Sequence, residues 1–177
     1  DFRSERARSL LDRRHRFVLS GTFKLASIQL SPILRVASGA PFNISLGGAD
    51  RNLDDVSNDR PNYSGDLRLL RWRRPGATLD PSVIESFGIP QIGQVGNLPR
   101  NVGRGPGLFA LDLNVAREIH LSQRIRLRPS VEFDNVLNKT VFSFGSEFID
   151  LDNSESFLVA TRTMRPRQIR AGIRIEF

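Results

Sequence analysis

Arg167-Gln168-Ile169-Arg170-Ala171-Gly172-Ile173-Arg174-Ile175-Glu176-Phe177 closes the chain on an apolar and polar alternation that ends in an aromatic ring. Successive side chains of a strand point to opposite faces. Ile169, Ala171, Ile173, Ile175 and Phe177 therefore share one face, and Gln168, Arg170, Arg174 and Glu176 share the other. The stretch predicts a final strand over 167–177.

The same period recurs upstream. Ile125, Leu127, Pro129, Val131 and Phe133 alternate with Arg124, Arg126, Arg128, Ser130, Glu132 and Asp134, a strand over 124–134. Phe109, Leu111, Leu113 and Val115 alternate with Ala110, Asp112, Asn114 and Ala116, and the pattern runs over 108–121. Arg117 falls in its apolar row. An arginine facing lipid costs about 2–4 kcal/mol at the midplane and about 0–1 near the interface, so Arg117 is expected at the membrane edge unless a bulge turns it to the other face. Two earlier strands are predicted over 14–25 and 28–46, the second with a bulge at Gly39 or Pro41 and with Phe42 and Ile44 in its apolar row.

Between these strands the alternation stops. Residues 47–107 and 135–166 are rich in turn formers and read as two long loops; in the first, Asp80-Pro81 is an N-cap followed by proline at the first helical position, opening a short helix. Turns after strands one and three are short and those after strands two and four are long. That asymmetry is expected of a transmembrane barrel with periplasmic turns and extracellular loops. With the C-terminus in the periplasm, Phe17, Phe42, Phe109 and Phe133 fall near the outer interface and Phe23 and Phe177 near the inner one, as an aromatic girdle.

Composition is compatible with this. The 177 residues are 39% hydrophobic, and barrel strands alternate lipid-facing with lumen-facing residues, so their mean hydropathy looks soluble. No apolar run reaches the roughly 18 to 20 residues of a spanning helix. The net charge of +7 is spread along the chain; only Arg68, Arg71, Arg73 and Arg74 around Trp72 are dense, which could bind phosphate or be a solvated loop, and nucleic acid is not expected as a partner. Without cysteine there is no disulfide framework or thiolate site. The fold class is all-β: antiparallel up-and-down strands of a transmembrane β-barrel, with about five strands present as a partial barrel and two long extracellular loops.

Several stretches together resemble one family. They are Asp12-Arg13-Arg14-His15-Arg16-Phe17-Val18, Ser38-Gly39-Ala40-Pro41-Phe42-Asn43, Asn58-Asp59-Arg60-Pro61, Arg100-Asn101 with Gly105-Pro106-Gly107, Phe109 to Leu113, Glu132-Phe133-Asp134-Asn135-Val136-Leu137-Asn138 and Pro166-Arg167-Gln168-Ile169. The set is similar to the C-terminal part of a TonB-dependent outer-membrane receptor barrel of the Oar-like type, often fused to a carboxypeptidase-regulatory-like domain. The resemblance implies a place in the Gram-negative cell outer membrane and a role in the uptake of a large ligand. It implies a complete barrel of roughly 22 strands around a plug. Further N-terminal strands and the plug are not among these residues, so TonB is expected to act only through that plug. The expected partners here are outer-membrane lipid and the barrel assembly machinery, whose signal the ending Ala171, Ile173, Ile175 and Phe177 resembles. A soluble all-β binding or adhesion module and a passive outer-membrane pore are the alternatives.

Candidate chemistry is sparse. Asp50, Asn52, Asp54, Asn58 and Asp59 offer oxygen ligands at short spacing, as Ca²⁺ requires, although the EF-hand places for glycine and glutamate hold Asp55 and Pro61; an Asx-rich turn explains them equally. His15 and His120 have no ligand-spaced partner, so zinc is not expected. No nucleophile elbow is present, and no enzyme and no other cofactor is expected.

Overall fold

The computed structural model describes residues 5–144, 148–152 and 155–177. In chain order the strands are β1 (Arg16–Ser20), β2 (Phe23–Leu25), β3 (Ile28–Ala37), β4 (Pro41–Ser45), β5 (Asn62–Tyr63), β6 (Phe87–Gly88), β7 (Gly103–Arg104), β8 (Leu108–Arg117), β9 (Ile119–His120), β10 (Arg126–Asp134), β11 (Phe142–Ser143), β12 (Phe148–Asp150), β13 (Arg162–Thr163) and β14 (Gln168–Glu176). One α-helix, α1, spans Pro81–Glu85. The chain divides into a sheet unit, Arg14–Ser38, Gly107–Val141 and Thr163–Phe177, and a loop unit, Asp1–Arg13, Gly39–Pro106 and Phe142–Arg162.

The sheet unit is antiparallel throughout, in the order β1, β3, β8, β10, β14, with β2 beside β3 and β9 beside β10. This is an up-and-down meander whose edges are β1 and β14, an open sheet among the described residues. Two strands expected to be continuous are interrupted, and in both cases a proline in the partner explains it. Gly21 faces Pro32, and the pairing of Ser20 with Ile33 resumes in the same register as Phe23 with Leu30. Pro32 accepts from the Gly21 N–H at 3.3 Å but has no N–H to return. Likewise Pro129 stands opposite the Arg117 position, and the register of β10 on β8 continues unchanged onto β9. An unchanged register excludes a bulge at Arg117, which keeps its place in the apolar row.

The expectation of one strand over 28–46 is corrected. β3 ends at Ala37, and Pro41–Ser45 belongs to the loop unit, pairing antiparallel with β7 and parallel with β12. The break at Ser38-Gly39-Ala40 is forced by close approach: a Cβ on Gly39 would lie 1.9 Å from the Gly105 carbonyl oxygen. Phe42 and Ile44 consequently leave the outer face. They are 2% and 0% exposed in a small core with Tyr63, Leu70, Val83, Leu98, Phe157 and Leu158. Phe42 is thus no part of an aromatic girdle.

The segment 47–107 is accordingly more ordered than a loop of turn formers suggests. Asp80 does cap α1, its side chain accepting from the Ser82 N–H at 3.0 Å, and Pro81 takes the first helical position. The helix exists to deliver Val83 into the core, where it is 2% exposed.

Candidate functional site

The sheet register assigns every strand residue of the sheet unit to a face. One face carries Leu19, Leu34 and Leu111 in one row, Phe23, Leu30, Val115, Val131 and Ala171 in another. It is apolar in all five strand lanes except at Arg117. Leu19, Phe23, Leu25, Ile169 and Ile173 are 59–72% exposed. Water would penalise so wide an apolar surface, and a soluble monomer rarely shows one. β3, β8, β10 and β14 are 9 or 10 residues long, the length that carries a tilted strand across a hydrocarbon core.

Arg117 sits where an arginine is tolerated. It is the last residue of β8, opposite Ile28 at the start of β3, and its Nε donates to Ser27 Oγ in the turn at 3.2 Å. At the other end of the row, Lys139 Nζ lies 4.4 Å from the centre of the Phe109 ring, an aromatic with a cation over it as suits an interface.

The opposite face is mostly polar, with Val18, Ile33, Ala37, Leu108, Ala110 and Ala116 as its apolar members, and several of its charges are paired across strands. Arg35 Nη2 donates to Asp112 Oδ2 at 2.5 Å, between β3 and β8. Arg170 of β14 reaches both Glu132 and Asp134 of β10, at 3.1 and 3.2 Å, and Asn114 donates to Glu132 at 3.2 Å. Arg128 donates to Gln29 Oε1 at 3.1 Å. These cross-strand bonds skip between neighbouring and next-neighbouring strands, so they fix register as well as charge.

A polar, partly paired face backed by an apolar face of membrane-spanning length is the pattern expected of a barrel wall. A family model described as outer membrane beta barrel domain matches residues 1–170. The chain belongs to that outer-membrane β-barrel family. No curated protein and no solved structure matches it. Membership of this family places the chain in the outer membrane.

The quoted motifs of this barrel protein hold its turns and loops together. Asp112 joins two of them: its other oxygen accepts the Asn135 N–H at 3.0 Å while it holds Arg35. Asn135, at φ 51°, folds its side chain onto both backbone groups of Lys139, at 3.0 Å each, and Asn138 Oδ1 accepts the Arg167 N–H at 3.2 Å, which aims the chain into β14. In the loop unit Arg60, 7% exposed, donates through Nε to the Leu98 carbonyl at 3.0 Å and through Nη2 to Glu5 at 2.6 Å. Arg100 holds the second Glu5 oxygen at 2.9 Å, and Asn101 donates to the Arg8 carbonyl at 2.7 Å. The two guanidinium groups, Arg60 foremost, hold the Glu5 carboxyl below the usual carboxylate range. Sequence reading singled out Arg60, Arg100 and Asn101 but missed Glu5, because a lone glutamate in an arginine-rich stretch carries no local signal.

The Asp50 to Asp59 oxygens are occupied locally. Asp50 accepts the Asp54 and Asp55 N–H groups at 3.2 and 3.0 Å, Asn52 Oδ1 accepts the Asp54 N–H at 3.0 Å, and Asp54 Oδ1 accepts the Val56 N–H at 3.0 Å. Asp59, 4% exposed, accepts from the Arg51 and Asn52 N–H groups. Leu53 and Asp55 have φ near 60°. This is the geometry of an Asx-rich turn, with Asn58 exposed beside it. Among the described residues no three His, Cys, Asp or Glu side chains are gathered as a metal site.

The terminal residues Ala171, Ile173 and Ile175 lie on the apolar face of the edge strand β14, and Phe177 beyond its end is fully exposed. Between the polar-face residues Arg35, Asp112 and Asp134 and the segment Thr163–Pro166 is a cavity of about 400 Å³, also lined by Val141.

Proposed function

We propose that this outer-membrane barrel protein is the C-terminal barrel segment of a TonB-dependent receptor that takes up a large ligand. The observation that carries the reading is the position of the family-like motifs: Arg60 and Arg100 share Glu5 and Gly105 packs on Gly39 in a loop unit with its own core, while Glu132 to Asn138 ties β10 to the start of β14. A built loop unit suits selective capture better than free diffusion, for which short or open loops suffice. The charged inner face, already paired across strands, suits a wall against which a plug packs. The ending Ala171, Ile173, Ile175 and Phe177, on an exposed edge strand, suits recognition by the assembly machinery before closure.

The test is the conductance of the full-length protein in planar bilayers, with the coding frame upstream of Asp1 sequenced alongside. A plugged receptor is electrically closed and its frame continues upstream through a plug. A steady open conductance, or an upstream frame without a plug, favours the passive pore.

A further inference from the structure

The arginine cluster around Trp72 is sorted by the fold. Arg68 is bound by Asp66 at 3.1 Å. Arg73 is turned inward onto backbone carbonyls, those of Phe157 at 2.7 Å, Glu155 at 2.5 Å and Ala77. Arg71 is different. It forms a parallel bridge with Arg104, a residue 33 positions away that sequence reading did not connect to the cluster. The Arg104 N–H donates to the Leu70 carbonyl at 2.9 Å and the Trp72 N–H to the Arg104 carbonyl at 2.9 Å. Residues bridged in this way stand about 4.8 Å apart with side chains on one face. Both are exposed. Arg71 uses its Nε on the Arg68 carbonyl at 2.6 Å, which leaves its terminal N–H groups for another acceptor, and neither guanidinium enters an ion pair among the described residues. Trp72, on the other side of the strand, packs on Phe142 with ring centres 5.4 Å apart and pins the backbone.

Two like charges held side by side repel, and a fold with acidic residues nearby could have paired them. Asp66 feels the Arg71 charge, yet it is committed to Arg68. We propose that Arg71 and Arg104 form a binding site for a phosphate group, two guanidinium forks converging on one doubly charged anion. Forked donors match phosphate oxygens in a way that single ammonium groups do not. The source of the phosphate is either a lipopolysaccharide headgroup or a soluble phosphorylated ligand.

The full-length protein folded in detergent micelles is titrated with inorganic pyrophosphate, and in parallel with phosphatidylcholine vesicles with and without lipopolysaccharide. Wild type binds pyrophosphate, and Arg71→Gln with Arg104→Gln weakens it about tenfold or more, as expected for two charge-assisted contacts. Arg104→Gln alone, whose side chain makes no hydrogen bond among the described residues, weakens it in part, and Arg74→Gln leaves it unchanged. Binding to lipopolysaccharide vesicles that pyrophosphate displaces identifies the headgroup; pyrophosphate binding without vesicle binding identifies a soluble ligand. Equal affinity in the wild type and the double variant, or no affinity for either probe, overturns the site.

Discussion

Gly39 and Gly105 approach so closely that a Cβ on the first would stand 1.9 Å from the carbonyl oxygen of the second, and the Gly105 N–H donates to the neighbouring Ala40 carbonyl at 2.8 Å. The glycines of two separate motifs are thus one contact. Gly39→Ala must displace backbone, and is expected to destabilise the loop unit by about 1–3 kcal/mol, the usual cost of overpacking. Gly88→Ala is the comparison, since its Cβ would meet Asn62 at an ordinary 3.7 Å. Limited proteolysis of the two variants in urea measures the difference.

The lipid face gives the sharpest contrast among substitutions. Leu113→Arg adds a charge in the middle of the β8 apolar row and should cost about 2–4 kcal/mol, whereas Arg117→Leu at the strand end should change stability by about 0–1 kcal/mol. Equilibrium unfolding from vesicles tests both.

The sheet was legible in the sequence because its period of two is set by the backbone itself, so parity alone assigned Leu111 and Asp112 to opposite faces. The interruptions at Gly21 and Arg117 were not foreseen, although their causes, Pro32 and Pro129, are in plain view once the register is known. The loop core was not legible. Phe42 and Ile44 continue the parity of β3 with only Ser38 out of pattern, and their packing against Phe157 and Leu158, over a hundred residues away, shows that they belong elsewhere. Shorter but still non-local separations, 33 and 55 residues, hid Arg104 from Arg71 and Glu5 from Arg60.

That core carries the loop unit. Ile44 is 0% exposed, and Ile44→Ala should cost about 2–5 kcal/mol and free the loop unit to proteases, while strand content measured by circular dichroism is largely kept.

Glu5 makes the loop unit sensitive to acid. Its carboxyl, held by Arg60 and then Arg100, titrates below the usual range, so its contribution is fully present above that range and is lost as pH falls through the lowered value. Glu5→Gln should remove the dependence and cost about 1–2 kcal/mol, less than for a fully buried pair because Glu5 is 44% exposed. Protection of the Arg8 and Asn101 region from proteolysis, followed from pH 7 to pH 3 in both proteins, checks the sign.

A barrel wall must turn its apolar face to lipid and its polar face to water. The chain has no cysteine, so single cysteines can be placed in turn at Leu111, Asp112, Leu113 and Asn114 of the full-length protein in membranes and labelled with an environment-sensitive dye. Quenching by lipid-borne quenchers at 111 and 113 and by aqueous quenchers at 112 and 114 is the predicted result. Aqueous quenching at all four positions, or the reverse alternation, would contradict a barrel wall.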